Sequence, residues 1–155
     1  MDDEEIREKL LRALDCFMAE QYDLLEMTVN ERAVGAVLAH LFVREEFPDH
    51  KVDAEYNRIG ANGDPKRLKL PAEFGTKNGR VIPDIIVHRR GNNDENLLVA
   101  ELKMESNSQP HDRDHQKLQA FVEQLGYRVG AFIELPAGPG AGERPPQVTW
   151  FPKPS

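Results

Sequence analysis

Asp84 and Glu101 are the residues whose type and spacing point most directly to chemistry. They lie in two apolar runs, residues 81–87 and 97–103, and both are equidistant from the dipeptide at 92–93. These runs predict two antiparallel strands joined by a turn at that dipeptide. Folding the chain about the turn places the two carboxylates directly opposite one another on one face of the hairpin.

Lys103 projects from the same predicted face, two residues beyond Glu101. Opposed carboxylates repel unless something neutralises them, and a divalent cation is the simplest candidate. Oxygen ligands suit Mg²⁺ or Mn²⁺, which bind through one or two carboxylates together with a substrate phosphate. The set therefore indicates metal-dependent phosphodiester hydrolysis, in which Lys103 orients the attacking water or stabilises the charge that develops on phosphorus.

The arrangement Pro83-Asp84 followed by Glu101-x-Lys103 resembles the signature of the PD-(D/E)xK nuclease superfamily. Residues 52–58, 83–91 and 96–103 are also similar to a group of small prokaryotic proteins assigned to that superfamily. The similarity runs from about residue 28 to residue 135. It implies a restriction-endonuclease-like core. Ala100 departs from the pattern, where a bulkier β-branched residue is expected, and this difference affects packing only.

The resemblance also implies two further site residues. Glu31 matches the acid that completes the metal site from the first core helix in many members, but it also fits a capping box with Thr28. Lys117 lies on the helix after the Glu-x-Lys strand, where relatives often carry a basic residue that faces the site. Its alternative is an exposed helix face on which Asp114 and Lys117 form a pair.

Periodicity predicts the elements that must position these residues. In order they are a helix at 3–27, a helix at 28–48, a strand at 52–58, a polar excursion at 60–80, the hairpin, a helix at 112–125, a buried strand at 129–135, a mobile Pro/Gly-rich loop at 136–146 and an optional edge strand at 148–151. The final strand–helix–strand unit favours a parallel crossover. We therefore predict an α/β fold with a mixed four-stranded sheet flanked by helices.

One domain of residues 1–155 is expected. Its core spans about 28–135, with an extra N-terminal helix at 1–27 and a Pro/Gly-rich tail at 136–155. The apolar stripe of the second helix is predicted to include Val34, Val37, Leu38, Leu41 and Phe42.

The formal net charge of −7 is unevenly distributed. Residues 1–30 carry nine acids and three bases, whereas residues 51–90 carry nine bases and five acids. The basic residues of the excursion, which could track phosphates or simply be solvated, are Lys66, Arg67, Lys69, Lys77 and Arg80.

The sequence contains no apolar run near the roughly 20 residues that span a bilayer, and its acidic amino terminus is unlike a signal peptide. A cytoplasmic location and no membrane partner are expected. The single cysteine, Cys16, excludes an intramolecular disulfide and is predicted to be buried. His111 and His115 have the spacing of a helical zinc pair without evident further ligands, and His88 is predicted to be structural.

Together these features predict a Mg²⁺-dependent (or Mn²⁺-dependent) nuclease whose partner is nucleic acid, with DNA favoured over RNA. Single- and double-stranded substrates are both compatible with the sequence. The alternative is a catalytically inactive nuclease-fold scaffold or protein-binding domain. A homodimer is also plausible, because cutting two strands requires two sites and the amphipathic first helix could supply an interface.

Overall fold

The computed structural model describes residues 1–27, 30–54, 83–91 and 93–154. In chain order the elements are α1 (Asp3–Glu26), α2 (Glu31–Val37), a π-helical segment (Leu38–Val43), α3 (Arg44–Glu46), β1 (Lys51–Ala54), β2 (Ile85–His88), β3 (Leu98–Met104), α4 (Asp112–Leu125), β4 (Val129–Leu135), a 3₁₀ turn (Ala141–Glu143) and β5 (Gln147–Phe151). The predicted α/β class is confirmed. α4 has the predicted bounds and ends at Gly126, whose positive φ of 73° suits glycine.

The strands form one mixed sheet in the order β1-β2-β3-β4-β5. β3 and β4 are parallel and α4 connects them, while every other neighbouring pair is antiparallel. The predicted count of four strands is wrong, because β5 pairs with β4 as a fifth. This strand is stabilised by packing on both sides, since Val148 and Trp150 contact one core and Phe151 contacts the other.

Helices cover both faces of the sheet. The larger core lies between the sheet and α1, α2 and the π-helical segment, and a smaller core lies beneath α4. The hairpin's contribution to the larger core is the apolar face that the sequence predicts, namely Ile85, Val87, Leu98, Ala100 and Leu102. Because side chains alternate along a strand, Val99, Glu101 and Lys103 point instead towards α4. This packing anchors the carboxylate-bearing strand from behind.

The apolar stripe of α1 faces the core of its own chain. Ile6, Leu10 and Phe17 are fully buried, so this stripe is not the free dimer interface that the sequence suggested. Cys16 lies beside the stripe and is exposed, which corrects its predicted burial. At the start of α1, Asp2 accepts a hydrogen bond from the backbone N–H of Glu5 at 2.8 Å and caps the helix.

The second helical stretch begins later than predicted. α2 starts at Glu31, and Asn30 caps it by accepting a hydrogen bond from the backbone N–H of Ala33 at 2.8 Å. Glu31 is therefore the first helical residue and not the third, so it does not occupy the capping-box position; Thr28 lies outside the described residues. Leu41 is 57% exposed, because the wider turn of the π-helix shifts the buried stripe away from the α-helical spacing.

Residues 136–146, which are predicted to form a mobile loop, pack against α1. The backbone N–H of Gly138 donates to the carbonyl of Leu25 at 2.9 Å, and Ala141 is fully buried. The ring of Tyr22 lies against Gly142 so closely that an added Cβ would come within 2.9 Å of it. The absence of a side chain at Gly142 thus permits the close approach of loop and helix.

Candidate active site

Asp84 and Glu101 are brought together by the register of the hairpin. β2 and β3 pair Ile85 with Ala100, so the next positions along place Asp84 opposite Glu101, as predicted. Asp84 lies just before β2 and not at the centre of a strand. Its carboxylate accepts the backbone N–H of Leu102 at 2.7 Å, and this side-chain bond stands where a ladder bond between the strands would otherwise form.

Glu101 is buried, with only 2% of its surface exposed. Burial raises the pKa of its carboxyl well above the ordinary range, and the nearby negative charge of Asp84 raises it further. The cation of Lys117 acts in the opposite direction and favours the ionised form. The site therefore holds a carboxyl group in an environment that favours protonation unless positive charge is close to it.

Lys117 supplies such a charge from α4. Its Nζ atom lies 2.5 Å from Oε1 of Glu101, and its side chain is only 12% exposed. Lys117 therefore faces the carboxylates, as the resemblance implies, and not the exposed helix surface of the alternative interpretation.

Lys103 is placed among the same groups. It is 6% exposed, and its Nζ lies 3.8 Å from Oδ2 of Asp114 on α4. Burial raises the pKa of Asp114, the cations of Lys117 and Lys103 lower it, and Asp84 and Glu31 raise it in turn. Asp114 is thus a member of the cluster that sequence reasoning assigned only to a surface pair. Its position three residues before Lys117 is the signal that could have identified it.

Glu31 reaches the cluster from the other side of the sheet's end. Its Oε1 accepts hydrogen bonds from the backbone N–H of Met104 at 3.0 Å and from Nδ2 of Asn107 at 2.9 Å. These contacts tie the start of α2 to the end of β3. Nothing in the local sequence around Glu31 indicates this contact, because its partners lie more than seventy residues away along the chain.

The donor chemistry suits a hard cation held by few protein ligands. Asp84 and Glu101 offer carboxylate oxygens, and Mg²⁺ commonly binds one or two carboxylates and completes its coordination with water and phosphate. Among the residues that the structure describes, no group of three or more His, Cys, Asp or Glu side chains is arranged to hold a metal ion. The pair Asp84 and Glu101 therefore fits an open Mg²⁺ site, and Glu31 does not form a three-carboxylate cage with it.

His111 and His115 pack against the ring of Phe132, with centroid separations of 4.9 and 4.7 Å. His111 also lies 3.8 Å from a carboxylate oxygen of Glu134. Within the described ranges neither histidine belongs to a metal-ligating group, and ring packing accounts for their position on this face of the sheet.

His88 is fully buried at the far end of β2. Its Nε2 lies 2.7 Å from Oδ2 of Asp53 on β1, and Arg90 Nη2 lies 2.5 Å from Oδ1 of the same carboxylate. Burial alone would raise the pKa of Asp53, but the hydrogen bonds from His88 and Arg90 hold it far below its usual value. This network supplies the partner of His88 that the sequence does not reveal.

The basic residues predicted to contact nucleic acid, and the polar pair Glu55 and Asn57 of the predicted first strand, lie outside the described residues. These basic residues are Lys66, Arg67, Lys69, Lys77 and Arg80.

Comparison of the chain with protein-family models, with curated proteins and with solved structures gives no match. In the described part of the chain, no helix is long and apolar enough to cross a membrane. The resemblance to the PD-(D/E)xK nucleases consequently rests on the sequence motifs alone.

Proposed function

We propose that the chain is a Mg²⁺-dependent nuclease with a restriction-endonuclease-like core, which hydrolyses phosphodiester bonds of nucleic acid, preferably DNA. The observation that carries this proposal is the opposition of Asp84 and Glu101 at the end of the hairpin, with the buried Lys103 two residues further along β3. The order of a hairpin, a helix and a parallel strand also supports it, since this is the order expected for such a core.

The side chains have distinct roles in this proposal. Asp84 and Glu101 hold the cation, which supplies Lewis acidity at the phosphoryl oxygen. Lys103 offers its ammonium group to the attacking water or to the developing negative charge on phosphorus. Asp114 lies 3.8 Å from that ammonium group and helps to orient it.

Lys117 balances charge in the same site. Its contact with Glu101 at 2.5 Å favours the ionised carboxylate, which is the form that binds a cation. Glu31 acts as a positioning residue, because its hydrogen bond to the backbone of Met104 fixes the end of the strand that carries Glu101 and Lys103.

The test is incubation of the full chain with plasmid, linear duplex and single-stranded DNA in Mg²⁺ or Mn²⁺. We expect divalent-ion-dependent hydrolysis that is lost in Asp84→Ala. A matched control is Asp15→Ala, which removes an exposed carboxylate from α1 and should leave turnover unchanged. If the purified wild type binds Mn²⁺ but hydrolyses no substrate, the scaffold alternative becomes the better description.

A further inference from the structure

A cavity of about 420 Å³ opens directly beside the carboxylate and lysine cluster. It lies at the carboxyl ends of the parallel strands β3 and β4, the position at which ligands commonly bind in α/β sheets. Lys103 lines it, and so does Asn107, which binds Glu31. The volume falls within the range of about 300–1,000 Å³ that is typical of small-ligand sites. The cavity is therefore continuous with the proposed active site.

The lining combines apolar surfaces with polar groups of both kinds. Met104, Leu135, Pro136 and Pro145 provide apolar walls. The polar groups are Lys103, Glu105, Asn107, His111, Glu134, Arg144 and Gln147. The two acids offset the cations of Lys103 and Arg144, so the cavity is not a simple trap for an inorganic anion.

The polar groups are held in place before any ligand binds. Arg144 donates to the carboxylate of Glu105 at 2.7 Å and to the carbonyl of Ala137 at 3.0 Å. Asn107 is fixed by its hydrogen bond to Glu31 at 2.9 Å. Such preorganised side chains lose little conformational freedom when a ligand binds, which favours affinity.

A ligand that matches this lining has apolar ring faces, polar ring edges with donors and acceptors, and one anionic group. An unpaired nucleotide has all three. A base within a duplex has its faces stacked and its edge paired, so it must leave the stack before it can enter such a pocket. In a single strand this step is largely removed, and the base is free to be bound by its faces and edges.

We propose that the cavity receives one unpaired nucleotide next to the scissile phosphate, and that the preferred substrate is therefore single-stranded nucleic acid. This inference rests on the proposed nuclease function for the position of the phosphate near Lys103. The binding preference, however, can be measured without any hydrolysis.

The first test is binding in EDTA, where a metal-dependent hydrolase does not turn over. Fluorescence anisotropy compares a labelled single-stranded DNA oligonucleotide with a blunt duplex of the same sequence. We expect the single strand to bind about tenfold more tightly, which is the scale of accommodating one base in a site. Equal affinities would overturn the proposal.

Gln147→Trp places an indole at the rim of the cavity, at an exposed position where β5 begins. It should abolish the preference for the single strand without weakening duplex binding. The control Gln116→Trp adds the same ring at an exposed position of α4 that does not line the cavity. Should Gln147→Trp fold poorly, Arg144→Gln serves instead and should also reduce the preference. A preference that survives in folded Gln147→Trp or Arg144→Gln would contradict the cavity's role.

Cleavage of the same substrates in Mn²⁺ separates this inference from the proposed function. Hydrolysis at equal rates for the two substrates would support a nuclease and overturn the single-strand preference. Absence of hydrolysis together with a binding preference that Gln147→Trp removes would support the cavity and overturn the nuclease. Faster hydrolysis of the single strand, slowed by Gln147→Trp through a higher KM, would support both.

Discussion

At the scale of single residues, the site depends on charges held close together in a buried place. Glu101 and Lys103 are nearly inaccessible, and Glu101 has two neighbours of opposite sign, Asp84 and Lys117. Buried charges are strongly destabilising unless they are paired, so such a cluster is retained at a cost in stability that function can explain.

Asp84→Asn separates repulsion from cation binding. The asparagine Oδ1 can still accept the N–H of Leu102, while the charge opposite Glu101 disappears. We expect the melting temperature without metal to be unchanged or raised, by the equivalent of up to about 1 kcal/mol, and stabilisation by Mn²⁺ to vanish. Thermal melts with and without Mn²⁺ measure both effects, with Asp15→Asn as the control. An undiminished Mn²⁺ effect in Asp84→Asn would exclude the shared cation site.

Lys103→Met tests the role of the ammonium group. Methionine retains much of the apolar stem that packs beneath α4, so the fold should be preserved. We expect hydrolysis to fall about 10²–10³-fold, the usual effect of removing one transition-state contact. Mn²⁺ stabilisation should survive, because the cation is assigned to the carboxylates. Normal turnover in the purified variant would remove Lys103 from the mechanism.

At the scale of elements, the hairpin register was predictable and the contacts from distant segments were not. The separation of Asp84 and Glu101 about a central turn specifies their opposition, because alternation and pairing are local properties of strands. The hydrogen bond from Met104 to Glu31, and the contact of Lys103 with Asp114, depend on how α2 and α4 pack on the sheet. Periodicity gives the helices but not the positions at which their polar residues meet the strands.

The pairing of β1 with β2 predicts a pH dependence of stability. Since the pKa of Asp53 is lowered from its usual 3.8 in the folded chain, the folded state binds fewer protons than the unfolded chain in acid. The stabilisation is then complete above about pH 5 and is lost as the pH falls below about 4. We expect Asp53→Asn to cost about 1–3 kcal/mol at neutral pH and less in acid, as measured by urea denaturation across that range. A cost that does not depend on pH would contradict the ionised network with His88 and Arg90.

The docking of loop 136–146 on α1 can be tested at Gly142. An added Cβ would lie 2.9 Å from the side chain of Tyr22, so Gly142→Ala should destabilise the chain by about 1–3 kcal/mol. The Tyr22→Ala background removes the obstructing ring and should reduce that cost, which a double-mutant cycle in urea would reveal. Equal costs in both backgrounds would mean that the loop does not rest on Tyr22.

At the scale of the whole molecule, composition gave the class and little more. The mixed sheet with helices on both faces follows from the order of apolar runs, and the fifth strand was missed as a firm element because residues 147–151 are only half-buried. Such an edge is stabilised by its pairing with β4 and by contacts to both cores, which its own short sequence does not specify.

The uneven charge of the chain provides the last prediction. The net charge of −7 opposes binding to nucleic acid, but bases cluster in residues 60–80, and these include Lys66, Arg67 and Lys69. If the three side chains contact phosphates, changing all of them to Gln should weaken affinity for every sequence and flatten the slope of log K against log salt by up to about three phosphate contacts. Turnover at saturating substrate should change far less, because these residues are not part of the carboxylate cluster.

The matched control removes the same charge from other surfaces, through Arg12→Gln, Arg128→Gln and Lys153→Gln. It separates phosphate contacts from the effect of net charge, since a general electrostatic effect would alter the slope equally in both triple variants. The salt slope is measured by anisotropy in EDTA for the wild type and the two variants. A slope that is identical in the wild type and in the Lys66, Arg67 and Lys69 variant would mean that this basic segment is only solvated, and that the substrate is held by the residues around Lys103 alone.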